Sequence, residues 1–204
     1  MRPRVVVIRH TAVMWPFLYY AGDRLSTAEL TAARLDGDLV EIGEAFMPAD
    51  AVETRELRAG ALRGLVGDTV AVTRLSAAWV HGAVADPPMR HCVQRRSARR
   101  IAAVIDARLD YRDLQLPPPD VMMISGVAVT TPVRTLVDLV RDLVGRQDAD
   151  PSAVDALCAW QPALVPGAVA WLECSGPVHF KRPALAYLRE RITPPQEEVT
   201  RYTS

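Results

Sequence analysis

A chain of 204 residues, half of them hydrophobic and 24% charged, has the apolar content for a packed core, which excludes wholesale disorder. Its 24 basic residues balance 24 acidic ones, so no global positive field marks it as a binder of nucleic acid or anionic membranes; any such surface is a local patch. Lys181 is the sole lysine, and with Ala and Val abundant this points to GC-rich codon usage, so arginine abundance alone is weak evidence for phosphate binding. Cys92, Cys158 and Cys174 are odd in number and widely spaced, which builds neither a disulfide framework nor a C-x-x-C motif; a reducing cytoplasm is the expected compartment. Apolar runs near the start are broken by Arg9, His10 and Pro16 without a small-residue cleavage site after them, and no run of about 18 apolar residues occurs elsewhere. Neither export nor membrane anchoring is expected.

Val5, Val6, Val7 and Ile8 form a β-branched run that suits a buried strand, and residues 15–20 are an aromatic stretch interrupted by Pro16. Ser26 or Thr27 is placed to N-cap a short helix with Glu29 near its start, Leu30, Ala33 and Leu35 on the inner side, and Gly37 closing it. Two brief strands follow, 39–42 and 45–47, joined by Gly43-Glu44 and stopped by Pro48. Helix followed by hairpin is the outline of a winged helix, in which the helix enters the major groove and the hairpin lies against the backbone.

Leu57, Ala61, Leu62 and Leu65 predict an amphipathic helix over 54–66. A short buried strand at 70–73 leads to a helical turn or two ending at Gly82. Strands at 89–94 and 103–109 flank Arg95-Arg96-Ser97-Ala98-Arg99-Arg100, and a hairpin between them would set those four arginines at its tip. From Arg90 to Arg112 seven arginines face only Asp106 and Asp110. Guanidinium forks grip carboxylate and phosphate alike, so Arg95, Arg96, Arg99, Arg100, Arg108 and Arg112 are candidates for contact with an acidic partner or a nucleic-acid backbone. The plainer reading is a solvated loop.

Pro117-Pro118-Pro119 is a rigid connector, followed by strands at 121–124 and 127–129 around Ser125-Gly126. Thr131 as N-cap and Pro132 at the first helical position open the clearest helix of the chain, with Val133, Leu136, Val137, Val140, Leu143 and Val144 on one stripe. Arg134, Asp138, Arg141 and Asp142 occupy its opposite face, at spacings that form weak ion pairs. Three shorter helices, 152–160, 163–173 and 183–192, precede a polar end. Trp79, Trp160 and Trp171 fall at helical positions and are expected as core anchors.

Val7-Ile8-Arg9-His10-Thr11 is faintly similar to the strand-Arg-His-Gly opening of histidine phosphatases, with threonine in place of glycine. A phosphatase acting through Arg9 and His10 is a remote alternative, because His81, His91 and His179 stand in contexts unlike that family's. Asp110, Asp113 and Asp120 lie in a proline-rich connector, Gly60, Gly64 and Gly67 form no phosphate loop, and Ser125-Gly126 and Ser175-Gly176 lack G-x-S-x-G. No catalytic residue, metal or cofactor is expected.

Two blocks, Thr73-Arg74-Leu75-Ser76-Ala77-Ala78-Trp79-Val80-His81-Gly82 and Gly126-Val127-Ala128-Val129-Thr130-Thr131-Pro132-Val133-Arg134-Thr135-Leu136-Val137-Asp138-Leu139, occur in this order. Together they make the chain resemble the AbiEi-type antitoxins of type IV toxin–antitoxin systems, in their actinobacterial branch. The resemblance implies a non-enzymatic protein, with an N-terminal winged-helix DNA-binding domain and a C-terminal antitoxin domain, that represses its own operon and counteracts a nucleotidyltransferase-like toxin. It makes residues 26–35 the reading helix and 39–47 the wing, with Arg24, Ser26, Thr27, Thr31 and Arg34 as DNA contacts. The expected fold is α+β: a small winged-helix-like domain over residues 1–50, then a mixed α/β antitoxin-type domain over residues 51–204 with a helical tail. Operator DNA and a nucleotidyltransferase-like toxin are the expected partners, with no membrane. Five arginines against seven acids in residues 1–50 are a poor electrostatic match for DNA, which keeps a protein-interaction module without DNA binding as the alternative.

Overall fold

The computed structural model describes residues 17–100, 106–146 and 150–192. The strand expected over 4–8, and with it Arg9 and His10, lies outside them. Among the described residues the chain forms seven α-helices and two sheets, an α+β fold, and it divides into two compact units between Ala51 and Val52.

The first unit is built on helix α1 (Thr27–Leu35) and a hairpin of β1 (Leu39–Ile42) and β2 (Ala45–Pro48). Ser26 closes a capping box with Glu29: its hydroxyl accepts from the Glu29 N–H, while the Glu29 carboxylate accepts from the Ser26 N–H at 2.8 Å. Two of the donors left orphaned at the helix start are thereby satisfied. The hairpin pairs Leu39 with Pro48 and Ile42 with Ala45, and Gly43 takes the left-handed conformation its turn requires (φ +54°). Tyr19 exchanges backbone hydrogen bonds with Phe46 at 2.8 and 2.9 Å, adding a bridge beside β2. Leu18, Leu30, Leu39, Ile42, Ala45 and Met47 are buried here. Leu35, expected on the inner side of α1, is instead 77% exposed. It lies five residues beyond Leu30, roughly 140° around the helix, and so faces away from the core.

The second unit holds a five-stranded sheet in the order β5-β4-β3-β7-β6, from β3 (Val70–Val72), β4 (His91–Arg95), β5 (Leu109–Arg112), β6 (Val121–Ile124) and β7 (Val127–Thr130). Pairing is mixed: β3 with β4 and β6 with β7 are antiparallel, while β3 with β7 and β4 with β5 are parallel. Helix α2 (Arg55–Ala61), shorter than its apolar spacing suggests, packs on α3 (Arg74–His81). Helix α4 (Pro132–Val144) is surrounded by α3, α5 (Ser152–Trp160), α6 (Leu164–Cys174) and α7 (Lys181–Ile192). Leu136, Val137 and Val140 join Leu157, Leu172 and Leu188 in one apolar cluster with no measurable exposure.

One expectation fails here, and the ion pairs expected on α4 form but more deeply than their spacing suggests, because neighbours in space outrank neighbours in sequence. The strand expected over 103–109 is displaced to Leu109–Arg112 and runs parallel to β4, so the intervening segment is a crossover and not a hairpin. The polar face of α4 is only partly open to water: Arg134 and Asp138 are each 4% exposed, because the turn at Pro118–Asp120 and Trp171 of α6 cover them, while Arg141 and Asp142 are half-buried. Among the tryptophans, Trp79 is buried, Trp171 is half-buried, and Trp160, last in α5, is 44% exposed.

Candidate functional site

Helix α1 presents an open face. Leu30 is its buried residue, and Thr27, Ala28, Thr31, Ala32, Arg34 and Leu35 are exposed. Of the five side chains expected to meet DNA, Ser26 has its hydroxyl committed to the cap and Thr31 donates its own to the Thr27 carbonyl at 2.8 Å. Arg34 reaches Glu41 of β1 at 3.3 Å, both partners largely in solvent, a pair that contributes little to stability. Arg24 and Thr27 are exposed at the start of the helix. The hydrogen bonds from Ser26 hold the Glu29 carboxyl below its ordinary value. Residues 17–51 contain Arg24 and Arg34 against seven acids, so the unit carries a negative balance around that open face.

The arginine-rich segment does not form the tip that its spacing suggests; its members separate into four environments. Arg95, at the end of β4, is 7% exposed and donates to Asp113 at 2.7 Å and to the carbonyls of Ser97 and Ala98. Arg108 folds back on Asp106, whose carboxyl is lowered to about 2 by those hydrogen bonds. Arg112 forms a two-pronged bond to Asp142 of α4, at 3.0 and 2.9 Å. Arg100 stands 3.5 Å from Asp113 and is 83% exposed, while Arg96 and Arg99 are exposed without a carboxylate partner among the described residues. Three of the six candidates thus have close internal carboxylate partners, and Arg96, Arg99 and Arg100 are exposed, Arg96 donating to the Met123 sulfur at 3.7 Å.

Two ionic clusters extend beyond the pairs that spacing on α4 suggests, one buried and one partly exposed. In one, Arg134 donates to Asp120 at 2.6 Å and to Asp138 at 2.8 Å, Arg141 donates to Asp138 at 3.0 Å, and the Trp171 indole donates to Asp120 at 2.8 Å. Burial by itself would lower the Arg134 value; Asp138 and Asp120 outweigh it and raise it. In the other, Arg74 donates to Asp110 at 2.9 Å, with Asp142 at 3.8 Å and Arg112 beyond. Arg74 also sits in the left-handed region (φ +50°), an uncommon conformation for a side chain of this size. The i, i+4 pair Arg134/Asp138 and the i, i+3 pair Asp138/Arg141 are the sequence signal that points to the first cluster; nothing local points to the second.

The two sequence blocks behind the resemblance meet along one seam. Val72 of β3 pairs with Val129 of β7, and the His81 Nε2 lies 2.8 Å from the Thr130 carbonyl. Thr130 and Thr135 share a 2.8 Å hydroxyl bond, and Thr131 caps α4. These residues join sheet to helix in the interior, so the blocks report a shared scaffold and not a reacting surface. Among the described residues no group of three or more His, Cys, Asp or Glu is placed to hold a metal, and the three cysteines are unpaired.

This arrangement, a helix-and-hairpin unit followed by a mixed sheet with a central buried helix, is an α+β scaffold. Residues 70–165 match the family model of the AbiEi antitoxin C-terminal domain. That stretch of the chain is thus similar to the AbiEi antitoxin C-terminal domain. No curated protein matches the chain. Among solved structures it is similar to the one titled as the crystal structure of the RV2827C protein from Mycobacterium tuberculosis, at 18% identity over 80% of this chain and 70% of that one, with a TM-score of 0.31. No single helix among the described residues is long and apolar enough to cross a membrane.

Proposed function

We propose that this protein is the non-enzymatic antitoxin of a toxin–antitoxin operon in the bacterial cytoplasm, counteracting a nucleotidyltransferase-like toxin and repressing its own transcription. In this reading residues 1–50 form the winged-helix-like DNA-binding domain and residues 51–204 the antitoxin domain. The observation that carries the DNA-binding half is the open face of α1, held by a capping box and followed at once by a hairpin, which is how a reading helix is presented to the major groove. Arg24, Thr27, Thr31 and Arg34 would contact the operator, Arg34 after release from Glu41; Ser26 would contribute by setting the helix start. The test is binding of the intact protein to the DNA upstream of its own gene, against a random duplex of equal length, across a salt series. Tighter binding to the upstream DNA, weakened by Arg34→Ala and Thr27→Ala, supports the reading; equal binding to both duplexes overturns it.

A second reading is favoured by the charge of that unit. Two arginines against seven acids over residues 17–51, with Arg34 already paired, suit a protein partner better than phosphate. A protein-interaction module of this kind rescues toxin-expressing cells without binding the upstream DNA at all. Co-expression growth assays beside the binding series separate the two.

A further inference from the structure

The loop after β4 turns its carbonyls inward. Arg95 donates from Nη1 to the Ser97 carbonyl at 2.6 Å and to the Ala98 carbonyl at 3.0 Å, while its Nε is held by Asp113. A trans peptide directs its N–H opposite to its C=O, and the described residues contain no cis bond. The Ala98 and Arg99 N–H groups belong to the same two peptides whose carbonyls Arg95 holds, so they point away from that guanidinium, to the outside of the loop. Neither finds an acceptor among the described residues. The near end is fixed as well: the Arg96 and Ser97 N–H groups both donate to the Thr69 carbonyl, at 2.9 and 3.2 Å, and the Ser97 hydroxyl donates to the Arg99 carbonyl at 2.8 Å.

Successive outward amides make a concavity that takes anions. Arg96, Arg99 and Arg100 are exposed on the same loop, Arg96 with one guanidinium nitrogen 3.7 Å from the Met123 sulfur of β6, and Asp113 is the one carboxylate bonded to the loop's arginines among the described residues. We propose that this Arg95-braced loop is a phosphate-binding subsite, in which the Ala98 and Arg99 amides and the Arg96 and Arg99 side chains receive one phosphodiester group of a nucleic-acid backbone. Donors arriving from backbone and from two forks lie in more than one plane, which suits a tetrahedral oxyanion better than a flat carboxylate. Ala98, Arg99 and Arg100 are exposed, so a phosphate displayed on a polymer can reach them, and a contact to the backbone alone carries no sequence preference. The proposal rests on nucleic acid being a partner of this protein, but not on α1 as the element that reads it.

The experiment uses the full chain labelled with nitrogen-15. Its amide spectrum is followed during titration with sodium phosphate at constant ionic strength, then with a random 20-base-pair duplex, then with a glutamate-rich peptide. The expected result is a saturating shift of the Ala98 and Arg99 amides with phosphate and with the duplex. The double variant Arg96→Ala/Arg99→Ala, both exposed positions, keeps the remaining spectrum and lowers the salt slope of duplex binding by about 1, close to a tenfold loss of affinity at about 0.1 M salt. Unmoved Ala98 and Arg99 amides, an unchanged salt slope in the double variant, or a response to the acidic peptide but not to the duplex would each overturn it. If the intact protein prefers its own upstream DNA while these amides stay still, the subsite fails and the regulatory reading stands. Loop shifts with a random duplex and no preference for upstream DNA give the reverse.

Discussion

Arg134 and Arg99 lie in the same unit and carry the same charge, yet one is sealed in the interior and the other stands in water. Around Arg134 the Nε and Nη1 groups each meet a carboxylate, and Trp171 completes the set by donating to Asp120 and lying 5.0 Å under the guanidinium carbon. Around Arg99 the nearby carbonyls are turned inward by Arg95, and the one carboxylate bonded to the loop, Asp113, is shared by Arg95 and Arg100. Composition does not separate these cases; the supply of carboxylates within reach does. A buried arginine is tolerated when its partners are buried with it, whereas a surplus on a braced loop is left for something outside the molecule.

The interior side of the comparison is broken most severely by Leu136→Asp. Leu136 has no measurable exposure, and a carboxylate there has no cation to meet, so the variant is expected to lose the cooperative unfolding transition in calorimetry. Arg134→Ala leaves buried Asp120 with only the Trp171 indole and buried Asp138 with only Arg141, and should cost about 3 to 5 kcal/mol in urea denaturation. Recovery of most of that loss by Arg134→Lys would show that point charge, and not the planar fork, is what the cluster requires.

His81 tests the seam beside that cluster through pH. Burial holds its value below the ordinary 6.5, against the opposing pull of the Thr130 carbonyl, so the folded ring stays neutral while an unfolded chain takes up a proton. Its contribution is whole above about pH 6.5 and is lost as pH falls toward the lower folded value, at no more than about 1.4 kcal/mol per pH unit. Urea midpoints at about pH 7.5 and about pH 5.5 should therefore differ less in His81→Gln than in the parent protein.

Smaller effects belong to the surface. Ser26→Ala removes one half of the capping box and should cost the first unit about 1 kcal/mol, read from its own thermal transition. Arg99→Ala should change stability by less than about 0.5 kcal/mol, and a larger loss would mean that the loop arginines are structural after all.

Local elements were legible because their causes are local. Ser26 with Glu29, Thr131 with Pro132, and Gly82 in the left-handed region (φ +89°) mark helix ends through hydrogen bonds that span three or four residues. The apolar stripe of α4 likewise places Leu136, Val137 and Val140 inside without reference to anything distant. Tertiary structure alone decided what the polar residues do. No spacing tells that β5 lies parallel to β4, that Asp120 and Trp171 close over Arg134 from turns and helices far along the chain, or that Arg95 turns inward while Arg96 and Arg99 remain outside. Hydrophobic periodicity sorts side chains on one element, but a charge is placed by whichever opposite charges and carbonyls the fold brings within about 3 Å, and those come from other elements.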